Sequence, residues 1–109
     1  MIADVIREAK TKHEIYFLLT AYVEAVRFCD KLNCTSEHIT RLPINGVADV
    51  RARFEKLMIE LDAASKRLDD KSCEVIHEAV HVFGAVLNRL QLLDEEHYQS
   101  SAGMAAQAA

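Results

Sequence analysis

The fold is decided by the stretch SCEVIHEAVHVFGAVLNRLQLL, residues 72–93. Large apolar residues recur in it at alternating spacings of three and four, the seven-residue repeat of a helix with one buried seam. The pattern predicts a helix that begins at Asp70 or Ser72 and ends near residue 97. The residues of its predicted seam are Ile76, Ala79, Phe83, Val86, Leu90 and Leu93.

The preceding stretch, residues 46–69, carries the same repeat and predicts a second long helix. Two helices with matching seams and a short connection form an antiparallel hairpin. The second seam consists of Val47, Val50, Phe54, Leu57, Leu61, Ala64 and Leu68.

A third long helix is predicted from about residue 12 to 32, with Thr11 and Glu14 forming a capping box at its start. This helix is apolar on two sides, so it must be covered on two sides. A three-helix monomer covers only one broad face, so we expect a homodimer with this helix at the interface. The first stripe is Ile15, Leu18, Leu19, Tyr22, Val26 and Cys29; the second, the predicted interface, is Phe17, Ala21, Ala25, Phe28 and Leu32.

The remaining segments define one domain, residues 1–98. RLPING at 41–46 interrupts the helical pattern, because proline ends a helix and Asn-Gly favours a turn. Only a short helical turn, begun by Thr35 or Ser36, fits before it, and residues 1–10 are compatible with a short additional helix. The tail, residues 99–109, lacks large side chains and is predicted to be disordered. No alternating pattern indicates a strand, so the predicted fold class is an all-α bundle of three long antiparallel helices.

Composition excludes several classes of function. The net charge of −4 and a pI near 5.7 argue against nucleic-acid binding, which requires a basic face. No apolar run approaches the ~18 residues of a membrane span, and the N-terminus lacks the pattern of a secretory signal. Three cysteines at irregular spacing indicate free thiols in a reducing compartment. We therefore expect a cytoplasmic protein.

The sequence HEAVH at 77–81 matches the HExxH signature of zinc peptidases. His77 and His81 lie one helical turn apart on a stripe with Glu74, and their Cβ atoms are about 6 Å apart. In such enzymes the histidines bind zinc and the intervening glutamate, here Glu78, activates water. Zinc binding or metallopeptidase activity is therefore an alternative function.

Three features weigh against that alternative. The longer HExxHxxGxxH pattern retains its glycine as Gly84 but has Leu87 in place of the third histidine. No later helix supplies a glutamate ligand, since Glu95 and Glu96 lie on the same helix. No strand is predicted to hold a peptide substrate. HExxH also arises by chance on helices rich in His and Glu.

A second alternative is phosphotransfer through His77. An exposed histidine followed by an acid, on a helix of a dimeric bundle, is the phosphoacceptor arrangement of histidine-kinase dimerisation domains. The basic residue and proline that usually follow are absent from positions 80–83, and there is no ATP-binding domain. Only a phosphorelay module would fit.

Other polar groups give weaker signals. Cys29, Cys34 and His38 match no common zinc spacing. Cys73 lies near the start of the last helix, where a thiolate is favoured if the sulfur is exposed. A basic group around the start of the second helix is predicted to be a solvated face, which Asp94, Glu95 and Glu96 could pair with across the hairpin or between subunits; its members are Arg41, Arg51, Arg53 and Lys56.

The expected function is that of a protein–protein interaction or assembly module. We expect no catalytic activity and no cofactor, zinc being the alternative, and the sequence does not identify a protein partner beyond a second copy of the chain. A helical bundle hosts many functions, so only the geometry of a site distinguishes among them.

Overall fold

The computed structural model describes residues 2–28 and 36–108, with side chains described as far as Asp94. Within these residues the chain is all-helical, which confirms the predicted fold class at that level. Two short helices accompany the longer ones. The helices are α1 (Ile2–Arg7), α2 (Lys12–Phe28), α3 (Glu37–Thr40), α4 (Val47–Lys66) and α5 (Asp70–Ala108).

Helix α5 is the centre of the fold, because it packs against α1, α2 and α4, while α3 contacts both α2 and α4. Its predicted seam is confirmed. Phe83 and Val86 are fully buried, and only Leu93 is partly exposed. The buried members of this seam are Ile76, Ala79, Phe83, Val86 and Leu90.

The seam of α4 is buried at its centre and exposed at both ends. Val50 and Leu57 are fully buried, but Val47 and Leu68 are 45% and 85% exposed. The prediction is therefore wrong at the two terminal positions. Val47 is the first residue of α4, and Leu68 lies beyond its last residue, Lys66, so neither is held against α5 by a complete helical turn.

The connection between α4 and α5 explains the exposure of Leu68. Its φ is 57°, the left-handed conformation that ends many helices. The Leu68 N–H donates to the Ser65 carbonyl at 3.1 Å, and the Asp69 N–H donates to the Ala64 carbonyl at 3.0 Å. These two bonds form a Schellman motif. The chain then enters α5 at once, so the two helices run antiparallel.

Asp69 caps the start of α5. Its carboxylate accepts from the Ser72 N–H at 3.2 Å and from the Ser72 hydroxyl at 2.7 Å. These hydrogen bonds stabilise the ionised form and lower the pKa of Asp69. The predicted start of this helix at Asp70 is confirmed.

The first two helices are joined by the predicted cap. The Thr11 hydroxyl accepts from the Glu14 N–H at 3.1 Å, and the Glu14 carboxylate accepts from the N–H of Lys10, one residue before the cap, at 3.0 Å. In helix α1, Ile6 is fully buried and Ala3 is nearly so. The Arg89 side chain donates to the carbonyl of Ala9 at 2.7 Å, which fixes the end of α1 against α5.

The segment before α4 is anchored by Arg53. Its guanidinium donates to the carbonyls of Arg41 and Pro43 and pairs with Asp49 at 3.0 Å. Arg53 is buried, so its assignment to a solvated basic face is wrong. It lies three residues after Val50 and four before Leu57, which places it on the inner side of α4.

Other boundaries follow the predictions in part. Ser36 caps α3, since its hydroxyl accepts from the His38 N–H at 3.1 Å. The predicted end of the first long helix near residue 32 lies outside the described residues. Helix α5 continues to Ala108 through most of the tail predicted to be disordered; the tail is rich in alanine, the residue with the highest intrinsic helix propensity. None of the described helices has the length and apolarity needed to cross a membrane.

Truncation of the seam should destabilise the fold. Leu57 and Phe83 are both fully buried, so Leu57→Ala and Phe83→Ala should each lower the free energy of unfolding by about 2–5 kcal/mol. Urea denaturation followed by circular dichroism measures the change. Met58→Ala is the matched control, since Met58 is half-exposed on the same helix. A loss no larger than that of the control would contradict the assigned seam.

Replacement of Leu68, whose backbone is left-handed, by glycine should stabilise the fold. A non-glycine residue at this φ costs about 1–2 kcal/mol, and Leu68 is too exposed to lose much packing. Leu68→Gly should therefore raise the free energy of unfolding by roughly 0.5–1 kcal/mol after the added freedom of the unfolded chain is subtracted. Lys56→Gly, at an exposed position in the middle of α4, should lower it by a similar amount. Equal effects of the two substitutions would exclude the Schellman geometry.

Candidate functional site

The histidine stripe on α5 consists of Glu74, His77, Glu78 and His81, and all four side chains are exposed. This confirms that the stripe lies outside the seam. Burial of the seam turns these residues away from the core, because the two sets occupy different sides of the helix.

His81 is engaged by α1. An Nη atom of Arg7 lies 3.1 Å from His81 Nε2. Since a guanidinium only donates, Nε2 is the acceptor in this contact. Arg7 also donates to the Asp4 carboxylate at 2.7 Å. A guanidinium cation therefore lies beside the nitrogen at which a metal ion could bind, and its charge disfavours a metal cation there.

Glu78 lies near a buried tyrosine of the neighbouring helix. Tyr22 on α2 is buried, and burial together with the nearby negative charge of Glu78 raises the pKa of its phenol strongly. The carboxylate thus lies close to a neutral phenol of the neighbouring helix. Among the described residues, no group of three or more His, Cys, Asp or Glu side chains is arranged to hold a metal ion.

Gly84 has a packing role. A Cβ atom at this position would lie 3.2 Å from Cε2 of Phe54, so the absent side chain lets the α4 ring approach the α5 backbone. The glycine that matches the longer zinc-peptidase pattern is thus accounted for by the contact of two helices.

The remaining polar candidates are only partly brought together. His38 Nε2 lies 3.6 Å from a Glu60 oxygen, which links α3 to α4, and Cys73 is half-buried near the start of α5. Cys29 and Cys34 lie outside the described residues.

Asp94 has a different partner from the one predicted. Its carboxylate pairs with the Lys12 ammonium at 2.6 Å and not with the basic group around the start of α4. Its hydrogen bond and charge raise the pKa of Lys12. Because Lys12 begins α2, this pair joins the start of α2 to α5.

The second stripe of α2 faces solvent. The inner stripe is covered, with Ile15 and Leu19 fully buried, whereas Phe17 and Phe28 are 67% and 92% exposed. Ala21 and Ala25 between them are also exposed, and Leu32 lies outside the described residues. A surface depression of about 320 Å³ adjoins Phe28. We call the exposed residues Glu14, Phe17, Ala21, Glu24, Ala25 and Phe28 the outer face of α2.

Sequence reasoning missed the contacts that α1 makes with the histidine stripe. Arg7 and His81 are separated by 74 positions, and no local pattern links them. The burial of Arg53 was signalled by its spacing from Val50 and Leu57, although its charge suggested exposure.

No family model, curated protein or solved structure matches this chain significantly. The function is therefore inferred from the arrangement of the chain's own residues.

The histidine stripe should behave as a solvated surface. His77→Ala and His81→Ala should each change the free energy of unfolding by less than about 0.5 kcal/mol, and equimolar zinc should leave the melting temperature unchanged. Thermal unfolding with and without zinc measures both. Zinc-dependent stabilisation that either substitution abolishes would instead establish a metal site. Proteolysis lost in Glu78→Gln with zinc still bound would establish a peptidase.

Proposed function

We propose that the protein is a helical interaction module without catalytic activity, and that the outer face of α2 is its contact surface. The observation that carries this proposal is the exposure of Phe17 and Phe28 on one face of one helix. They are separated by eleven positions, about 16 Å along the helix. Exposed aromatic side chains of this kind are enriched at the centres of protein interfaces.

Continuity distinguishes this face from other exposed apolar residues. On α4, Met58 and Ile59 are 51% and 62% exposed, but the charged residues Glu55 and Asp62 lie beside them. Isolated apolar residues of that kind are normal on protein surfaces. On α2 one charged residue, Glu24, also lies between the two phenylalanines, but Ala21 and Ala25 continue the apolar surface from Phe17 towards Phe28.

The size of the patch fits a reversible contact. The exposed parts of the two rings amount to roughly 300 Å². Covering this area contributes about 7 kcal/mol at ~25 cal/mol per Å², and a partner of similar apolarity contributes as much again. Association costs about 4–15 kcal/mol, so the balance permits micromolar binding.

The histidine stripe supplies less support for a chemical function. Zinc chemistry would need a third ligand beside His77 and His81, and Arg7 already donates to His81. Phosphotransfer requires only that His77 be accessible, a property shared by many surface histidines. Neither reading accounts for the two exposed phenylalanines.

Position-specific photocrosslinking tests the contact surface. A photoreactive benzoylphenylalanine placed at Phe17 or Phe28 should give adducts of defined mass in cells that express the protein. The same group at Ile59, similarly exposed on α4, is the matched control and should give none. Absence of adducts at both α2 positions, or the same adducts at Ile59, would refute the proposal. The adduct mass also identifies whether a second copy of the chain has been captured.

A further inference from the structure

We propose that a second copy of the chain occupies the outer face of α2, with the two α2 helices antiparallel. In this arrangement Phe17 packs on Phe28 of the partner subunit, and the reciprocal contact forms at the other end. The inference rests on the proposed function, since it names the partner of the same surface.

The outer face is complementary to itself when it is reversed. A two-fold axis between Tyr22 and Val23 is equidistant from Phe17 and Phe28. Rotation about this axis places Phe17 of each subunit opposite Phe28 of the partner subunit. Near the axis lie Ala21 and Ala25, both exposed, with Glu24 beside them. Small side chains at a crossing point let two helices approach to about 8 Å, within the usual range of 8–10 Å. The depression beside Phe28 offers space for the incoming ring.

Charge selects the antiparallel orientation. A parallel pair in register would place Glu14, Glu24 and Arg27 each beside its own copy, which is repulsive at every charged position. In the antiparallel pair the two copies of Glu24 lie three positions apart and still repel, but Glu14 is removed from its own copy and Arg27 comes within about one helical turn of Glu14 of the partner subunit. This attraction occurs twice by symmetry, and the helix dipoles are also opposed favourably.

The area is sufficient for a weak dimer. The four phenylalanine side chains of a pair would bury roughly 600 Å², and the alanines and flanking side chains bring the total near 1,000 Å². That is the lower bound of specific interfaces. We therefore expect a dimer that dissociates in the micromolar range.

A charge exchange between the two ends tests both partner and orientation. Sedimentation equilibrium under reducing conditions should show a wild-type dimer. Phe17→Lys and Phe28→Glu should each weaken self-association about tenfold or more. An equimolar mixture of the two should recover dimers, because the antiparallel heterodimer has one Lys–Glu end and one intact Phe–Phe end. Ile59→Lys is the matched control and should dimerise like the wild type. Circular dichroism verifies that every variant is folded.

The outcomes separate this inference from the proposed function. A wild-type dimer weakened by both variants but not restored by mixing would overturn the antiparallel arrangement. A wild-type protein that stays monomeric at high micromolar concentration, yet forms photo-adducts at Phe17 with a different chain, would overturn self-association and retain the interaction module. A monomer with no adducts would overturn both.

Discussion

Burial of the α5 seam is the constraint on which the rest of the structure depends. One helix supplies the packing surface for α1, α2 and α4, so its rotation about its own axis fixes the positions of all three. Phe83 and Val86 are fully buried in the middle of this surface. A rotation of one position would carry His77 into the core, where an unpaired polar ring is costly. The exposure of HEAVH is thus a consequence of packing.

The sequence predicted those parts of the fold that depend on local periodicity. The central seam positions of α5 are buried, those of α4 are buried or partly buried, and the caps at Thr11 and Ser36 form, because spacing and capping chemistry act over a few residues. The ends of the seam were predicted less well: Leu68 continues the repeat but lies in a left-handed turn. A seven-residue repeat indicates which face of a helix is apolar but does not indicate where the helix ends.

Long-range contacts were beyond the reach of periodicity. Arg7 with His81, Arg89 with the Ala9 carbonyl, and Lys12 with Asp94 each join segments distant in sequence. These contacts change the reading of the candidate site, because Arg7 turns one of the two histidines of a metal motif into a hydrogen-bond acceptor for a cation. HEAVH therefore matches the HExxH pattern in sequence, but its surroundings in the fold favour a hydrogen bond from Arg7 over metal binding.

The two apolar sides of α2 have different environments: the inner stripe packs within the chain, and the outer face is exposed. Its inner stripe is fixed by intrachain contacts: Leu19 is fully buried and Tyr22 nearly so, and Lys12 pairs with α5. These contacts hold the helix rigidly without using Phe17 or Phe28. Substitution of either phenylalanine therefore alters the surface with little effect on folding. The same intrachain contacts leave both rings exposed, so a partner could cover them without displacing any part of the bundle.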